Sequence, residues 1–274
     1  MDASNADRQF ALSSALTALA KKGLHLHALE SLGGGLTNAN VIVGDGAERY
    51  VLRLNNPASE ALGIDRALEA RIVQQLPVGI SVNVIEMTEH FMLTPFVEAR
   101  QGLANHTEIT SLLALLKQLH ALHVDAPAID YMARITELVG DTMDTVWQAL
   151  LAKLNTALYQ QEASFGAHDA LCHHDLVAAN ILWPMGMAER PILIDWEYAA
   201  RGDLFFDLAC LLEEHKHLAL SEAALLNNYG LDPRCAPKLR VYRAVYSALA
   251  AAWAGCRGLS NTAQLAYIEA LLND

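Results

Sequence analysis

Cys172-His173-His174-Asp175-Leu176-Val177-Ala178-Ala179-Asn180, followed fifteen residues beyond Asn180 by Asp195 within Ile194-Asp195-Trp196-Glu197, is the stretch on which the reading of this chain turns. Short apolar runs at 171–172, 180–183 and 192–194 border it, so two aspartates and an asparagine stand in polar loops among brief strands. Any one of them alone reads as an ordinary turn or helix-start residue. The joint spacing, H-x-D-x-x-x-x-N and then an Asp at a strand end, is what carries information.

Upstream, an amphipathic helix is expected over residues 7–22, then three antiparallel strands within 29–54, broken at Gly33-Gly34-Gly35 and at Gly44-Asp45-Gly46. The second break is an Asp-Gly hairpin signal. Ser59 precedes a run in which Ile64, Leu68, Ile72 and Leu76 recur every four residues, predicting a helix, and two more strands are expected at 81–86 and 91–97. From Thr107 the pattern becomes helical: Leu112, Leu115, Leu116, Leu119 and Leu122 line one helix, and Val146, Leu150, Leu154 and Leu158 another behind an Asp141 cap. Everything after Leu204 reads as helix. The fold class is α+β: a small five-stranded antiparallel lobe over 1–97, then a larger, mainly helical lobe over 98–274, with a cleft between them.

At 274 residues and 53% hydrophobic, the chain can bury a large core. Its apolar runs fall short of the roughly 20 residues of a membrane span. The start, with Asp2, Asp7 and Arg8, lacks the basic opening of a secretory signal, so a soluble, cytoplasmic protein is expected. The four cysteines form no C-x-x-C pair and suggest neither disulfides nor a zinc site. A net charge of −12, with no Lys/Arg cluster, argues against nucleic-acid or anionic-membrane partners; it would suit a cationic ligand or equally serve only solubility, and alone selects no substrate.

Phosphoryl transfer asks for one carboxylate to orient a hydroxyl and take its proton, and for oxygen ligands that hold magnesium against the phosphates. Asp175, Asn180 and Asp195 supply that set. With these residues, Leu193-Ile194-Asp195-Trp196-Glu197-Tyr198-Ala199, Phe206-Asp207-Leu208-Ala209 and Gly34-Gly35-Leu36-Thr37-Asn38 in view, the chain resembles the choline/ethanolamine kinase and aminoglycoside phosphotransferase superfamily over nearly its whole length. The resemblance implies a protein-kinase-like fold, ATP and Mg2+ as cofactors, Asp175 as catalytic base, Asn180 and Asp195 as metal ligands, and Asp207, with His173, supporting the catalytic loop. It also implies Gly34, Gly35, Thr37 and Asn38 at the nucleotide, Arg53 with Glu69 as the phosphate-contacting ion pair, and backbone groups of Phe96 and Val97 at the adenine. An arginine fork can bind phosphate oxygens where protein kinases use lysine.

Departures from protein kinases are plain. His174 stands where they have arginine, Trp196-Glu197 replaces Phe-Gly, and no A-P-E follows, so no protein substrate is expected. The D-W-E-Y-A and G-G-L-T-N sequences are closer to choline and bacterial thiamine kinases, whose acceptors carry a cationic nitrogen and an alcohol. Glu214 and Trp253 are the candidate acceptor contacts, near Tyr242, Tyr246 and Glu213, because aromatic faces and a carboxylate hold such cations. The same aromatics could instead be core residues. His215 and His217 read as a solvated helix end rather than a metal pair, and His120 and His123 as structural. Alternatives are an antibiotic-modifying phosphotransferase, a kinase for another alcohol, and a nucleotide-binding regulator without catalysis.

Overall fold

Between Asp45 and Glu48 the chain reverses on a side-chain cap, Asp45 Oδ1 accepting from the Ala47 and Glu48 amides at 2.9 and 2.8 Å. The computed structural model containing this hairpin describes residues 5–32, 38–57, 59, 63–186, 190–259 and 262–273, so Gly34, Gly35 and Thr37 lie outside the described residues. The flanking strands β2 (Asn38–Gly44) and β3 (Arg49–Asn55) pair antiparallel from Asn38↔Asn55 to Gly44↔Arg49. With β1 (His27–Leu32), β4 (Glu86–Met87) and β5 (Phe91–Pro95) they form a five-stranded antiparallel sheet in the order β1-β2-β3-β5-β4. Helix α1 (Asn5–Ala20) buries Ala15 and Leu19 in one cluster with Val43, Leu52, Leu54, Phe91 and Leu93. Each fully buried leucine in such a cluster contributes about 1.5–3 kcal/mol.

Two expectations for this region are corrected. The second helix, α2 (Arg66–Gln75), starts at Asp65 rather than after Ser59: the Asp65 carboxylate accepts from the Ala67 and Leu68 amides at 2.9 and 3.0 Å, where it also complements the helix dipole. Ser59 is buried and donates to the Asn56 carbonyl. The buried face of α2 is Glu69 with Ile72, three residues apart, while Leu68 is half-buried. The strand expected at 81–86 shrinks to Glu86–Met87, because only these two residues pair with β5, and Ser81 makes isolated bridges to Val78 and Leu193.

The chain divides into two units, Met1–Arg100 with Pro184–Gly186 and Ile192–Glu197, and Gln101–Trp183 with Met187–Pro191 and Tyr198–Asp274. Short strands β6 (Ala99–Gln101), β7 (Ala170–Cys172), β8 (Ile181–Pro184), β9 (Ile192–Leu193) and β10 (Ala200–Gly202) follow the sheet along the chain. The antiparallel pairing of β7 with β10, Cys172 opposite Ala200, delivers the chain into His173 at the start of the decisive loop.

Around that ladder stand α3 (His106–His120), α4 (Tyr131–Val139), α5 (Thr145–Phe165), α6 (Phe205–Glu214), α7 (Glu222–Tyr229), α8 (Ala236–Cys256) and α9 (Thr262–Asn273). Helix α5 is capped by Asp144, which accepts from the Trp147 amide at 2.9 Å; the expected cap, Asp141, falls in a 3₁₀ turn just before. Helix α6 is buried from Phe205 through Leu212, as its unbroken apolar sequence around Asp207 requires. No helix among the described residues is long and apolar enough to cross a membrane.

Candidate active site

In the first unit, β3 and α2 bring Arg53 and Glu69 together across sixteen residues of sequence. Arg53 lies between buried Leu52 and Leu54 and is only 4% exposed. Its Nη1 and Nη2 donate to Oε1 and Oε2 of Glu69, both at 2.7 Å, while Nη1 also meets Asp195 Oδ1 at 3.1 Å. Burial alone would lower the Arg53 pKa, but the Glu69 carboxylate, with Asp195 and Glu197 behind it, raises it instead. Burial likewise works against the charged form of Glu69, and the two guanidiniums of Arg53 and Arg66 outweigh it. The pair is therefore ionised and rigidly forked.

Asp195 follows directly after Ile194 with φ +65°, a left-handed conformation costly for a residue with a Cβ. Its side chain is 30% exposed, against 1% for Glu69 and 2% for Glu197, so it is the least buried carboxylate of the three. Asn38, expected to face the nucleotide, is buried, and its amide donates to Glu197 Oε2 at 2.7 Å while its oxygen accepts from Arg66. Phe96 was expected to offer its backbone to a base. Its N–H is instead taken by the Arg49 carbonyl at 2.9 Å, one step beyond the β3–β5 ladder, and the Arg49 guanidinium lies over its ring. Val97, which follows it, is half-buried.

In the second unit the decisive loop hangs from one buried carboxylate. Asp207, wholly buried on α6, accepts from the His173 amide at Oδ2 and the His174 amide at Oδ1, each at 2.9 Å, and from His120 Nε2 at 3.0 Å. Burial pushes its pKa up. The His120 hydrogen bond and charge, with His174 and the His173 amide, reverse this and hold it at about 2. His174 is the second non-glycine residue at φ +65°, pinned by that amide bond and by Tyr131 Oη, 3.0 Å from its Nε2. Desolvation depresses its pKa to about 4, so it is neutral at pH 7.

Past this anchor, Asn180 closes the loop on itself: its Nδ2 donates to the Asp175 carbonyl at 3.0 Å and to Asp175 Oδ2 at 2.7 Å. His173, fully buried, receives the Asp175 amide on Nδ1 at 3.3 Å. Asp175 and Asn180 thus stand as a fixed pair of oxygen-bearing groups on a preorganised loop.

Of the acceptor candidates, Glu214 is exposed at the end of α6 and accepts from Tyr246 Oη at 2.6 Å. Trp253 is half-buried, and the Arg257 guanidinium sits 4.7 Å from its ring centroid, so a cation of the chain itself already covers one face. Tyr242 is buried among Phe205, Tyr131 and Lys238, a core aromatic. His215 is corrected: it is buried, not solvated, with Nε2 on the Leu176 carbonyl at 3.1 Å, while His217 meets the Leu103 carbonyl at 2.9 Å. The two imidazoles serve separate carbonyls.

Two site neighbours, Arg66 and Tyr131, escaped the sequence reading, and Glu197 was read in its motif without its contacts to Asn38 and Arg66. His120 was read as structural without its partner. Of these, only Arg66 carried a local signal, three residues before Glu69 on a helix. Among the described residues, His120, Cys172 and Asp207 are three potential metal-binding side chains whose donor atoms lie within 4.8 Å of one another. Burial holds the Cys172 thiol well above its ordinary pKa and so in the protonated form that metals do not take, while Asp207 already accepts from His120 and two backbone amides.

A small antiparallel sheet carrying a buried Arg–Glu pair, and a helical unit carrying an Asp–Asn loop strung from an internal aspartate, define a kinase-like α+β protein. The chain belongs to the phosphotransferase enzyme family, whose characteristic sequence it matches over residues 28–246. It is 29% identical over 224 residues to protein LicA of Haemophilus influenzae, covering 74% of this chain and 63% of that protein's length. The crystal structure of choline kinase LicA from Streptococcus pneumoniae superposes with a TM-score of 0.78 at 19% identity, covering 97% of this chain and 99% of the other. A structure of LicA in complex with AMP gives 0.76, also at 19% identity, over 95% and 97%.

Proposed function

We propose that this chain transfers the γ-phosphoryl group of ATP, with Mg2+, to the hydroxyl of a small cationic alcohol such as choline, ethanolamine or thiamine. The observation that carries the reading is Asp175 held 2.7 Å from Asn180 on a loop whose two preceding amides end on Asp207. A carboxylate fixed in this way can orient the acceptor hydroxyl, whose proton it takes as the oxygen attacks. Holding the loop by three donors to one buried carboxylate prepays the cost of ordering it.

Asn180 Oδ1 and the Asp195 carboxylate are hard oxygen donors of the kind magnesium takes, and Asp195 is the least buried carboxylate of its cluster. When bound, the ion neutralises charge on the phosphate oxygens. Arg53, fixed by Glu69, is the cation for those same oxygens, as lysine is in protein kinases. Gly34, Gly35, Thr37 and Asn38 are proposed at the nucleotide, with Phe96 and Val97 at its base through backbone groups other than the Phe96 N–H. The AMP bound to LicA, a similar fold, supports the nucleotide half of the reading.

Glu214, its oxygen fixed by Tyr246, is the proposed partner of an acceptor's cationic nitrogen, in keeping with a net charge of −12. The test is ADP release from Mg·ATP with choline, ethanolamine, thiamine, homoserine and kanamycin offered separately, and Asp175→Asn as control. Turnover dependent on a cationic alcohol and lost in the variant is the expected result. Turnover on kanamycin alone, or none on any acceptor, would sink the assignment.

A further inference from the structure

Arg66 occupies a position that the proposed reaction does not explain. It is the first residue of α2, and its side chain is only 9% exposed. Its Nη1 donates to Glu69 Oε2 at 2.8 Å and to Glu197 Oε2 at 2.9 Å, and its Nη2 donates to Asn38 Oδ1 at 2.7 Å and to Ser59 Oγ at 3.3 Å. One guanidinium thus joins four segments: the first residue of β2, the turn at Ser59, α2, and the segment carrying Asp195. A surface arginine at a helix start would do none of this, and its positive charge there even opposes the helix dipole.

The charges decide what the contact is for. Glu69 is shared, Oε1 bound by Arg53 and Oε2 by both arginines. Glu197 is almost wholly buried and is held by the Asn38 amide and Arg66. Take Arg66 away, and Glu197 becomes a buried carboxylate short of a counterion, the most unfavourable outcome of breaking such a pair. Arg53, whose guanidinium feels the Glu197 charge, is already bound to the same Glu69 and to Asp195. Arg53 would then divide itself among three carboxylates and lose the fork geometry that aims it.

We infer that Arg66 is a positioning residue for nucleotide binding: it neutralises Glu197 and half of Glu69, which leaves Arg53 for phosphate and Asp195 for the metal. It also ties Asn38, three residues after Gly35, to that same set. This inference deepens the proposed ATP-dependent activity and rests on it. Arg66 touches neither reacting atom in this account and acts through Arg53 and Asp195.

The experiment uses the full chain and measures affinity for a non-hydrolysable ATP analogue with magnesium by calorimetry, alongside the acceptor KM and thermal unfolding. In Arg66→Met, analogue affinity is expected to fall about tenfold or more, a change equivalent to about 1.4 kcal/mol. The acceptor KM should stay within about twofold, a split that general loosening of the fold would not give. Removing the stranded charge as well, in Arg66→Met with Glu197→Gln, should restore much of the loss, because the two effects are coupled. Arg66→Lys keeps the charge without the fork, should fall between, and carries the test if the methionine variant does not fold. A folded Arg66→Met that binds the analogue as the wild type does, or a double variant no better than the single, overturns the inference. A wild-type chain that does not bind the analogue overturns the functional reading instead, so the two failures are distinct.

Discussion

Both carboxylate oxygens of Glu69 lie 2.7 Å from guanidinium nitrogens of Arg53, and neither side chain is more than 5% exposed. Removing one partner of such a pair costs far more than the pair itself contributes, because the other charge stays buried. Arg53→Met is therefore expected to destabilise the chain by about 3–5 kcal/mol, read by denaturant unfolding. Arg53→Lys should fold better yet still bind nucleotide weakly, since a single ammonium cannot match two oxygens of Glu69 and also reach Asp195. A lysine variant with wild-type nucleotide affinity would show that the fork has no functional role.

Asp207 carries a different burden: three donors converge on it, and two of them are the amides just before Asp175. In Asp207→Asn the new NH2 group must face one of those donors. The loop should slip, with kcat falling by about 10²-fold or more, the range assigned to a misplaced general base. Analogue affinity, which the proposal assigns mainly to Arg53 and Asp195, should change far less. Steady-state kinetics beside calorimetry separates the two, and an equal loss in both would refute this division of labour.

Acid should weaken the fold in two stages. His174 falls from an ordinary 6.5 to about 4 through desolvation, so the unfolded chain takes up its proton first as pH drops, and stability is lost between pH 6.5 and about 4. That gap corresponds to about 3 kcal/mol. Asp207 falls from 3.8 to about 2, so its contribution, complete above pH 3.8, is lost as pH falls toward 2. Urea unfolding at stepped pH should show both declines. His174→Asn, with a residue type that tolerates the left-handed backbone, should flatten only the upper one. A variant that keeps the upper slope would assign it to another group.

The residues that sit close together in sequence were legible and those that meet only through folding were not. Asp175 and Asn180 are five apart, and the side chain of one does bond the other. Asp207 was placed at the loop because the resemblance put it there; the His120 link, 87 residues away, leaves no trace in any local pattern. The same holds for Arg66 and Glu197, 131 residues apart. Strands β6 and β10, three residues each, are too short to show an alternation, and the start of α2 was misread because Ser59 and Asp65 are both good caps and only packing chooses between them. At α2 the four-residue repeat marked Ile64 and Ile72, which are buried, but not how deep each neighbour sits: Leu68 is half-buried, and Glu69 beside it is buried in the ion pair.

The acceptor end offers the sharpest contrast between two candidates. Tyr246 donates to Glu214 at 2.6 Å, and burial, with Cys210 and Glu214 nearby, keeps that phenol protonated far above its ordinary range. The carboxylate is thus oriented, whereas Trp253 already has Arg257 against its ring. For a cationic acceptor, Glu214→Gln should raise KM about tenfold, in line with the 1.4 kcal/mol that a partly desolvated cation gains from a fixed charge. Tyr246→Phe leaves the charge but frees its orientation and should cost about threefold, near the net worth of one hydrogen bond. Trp253→Leu should cost less than either, and none of the three should move the KM for ATP. A Trp253 effect larger than that of Glu214 would mean that the aromatic face, and not the carboxylate, meets the cation, with Arg257 displaced when the acceptor arrives.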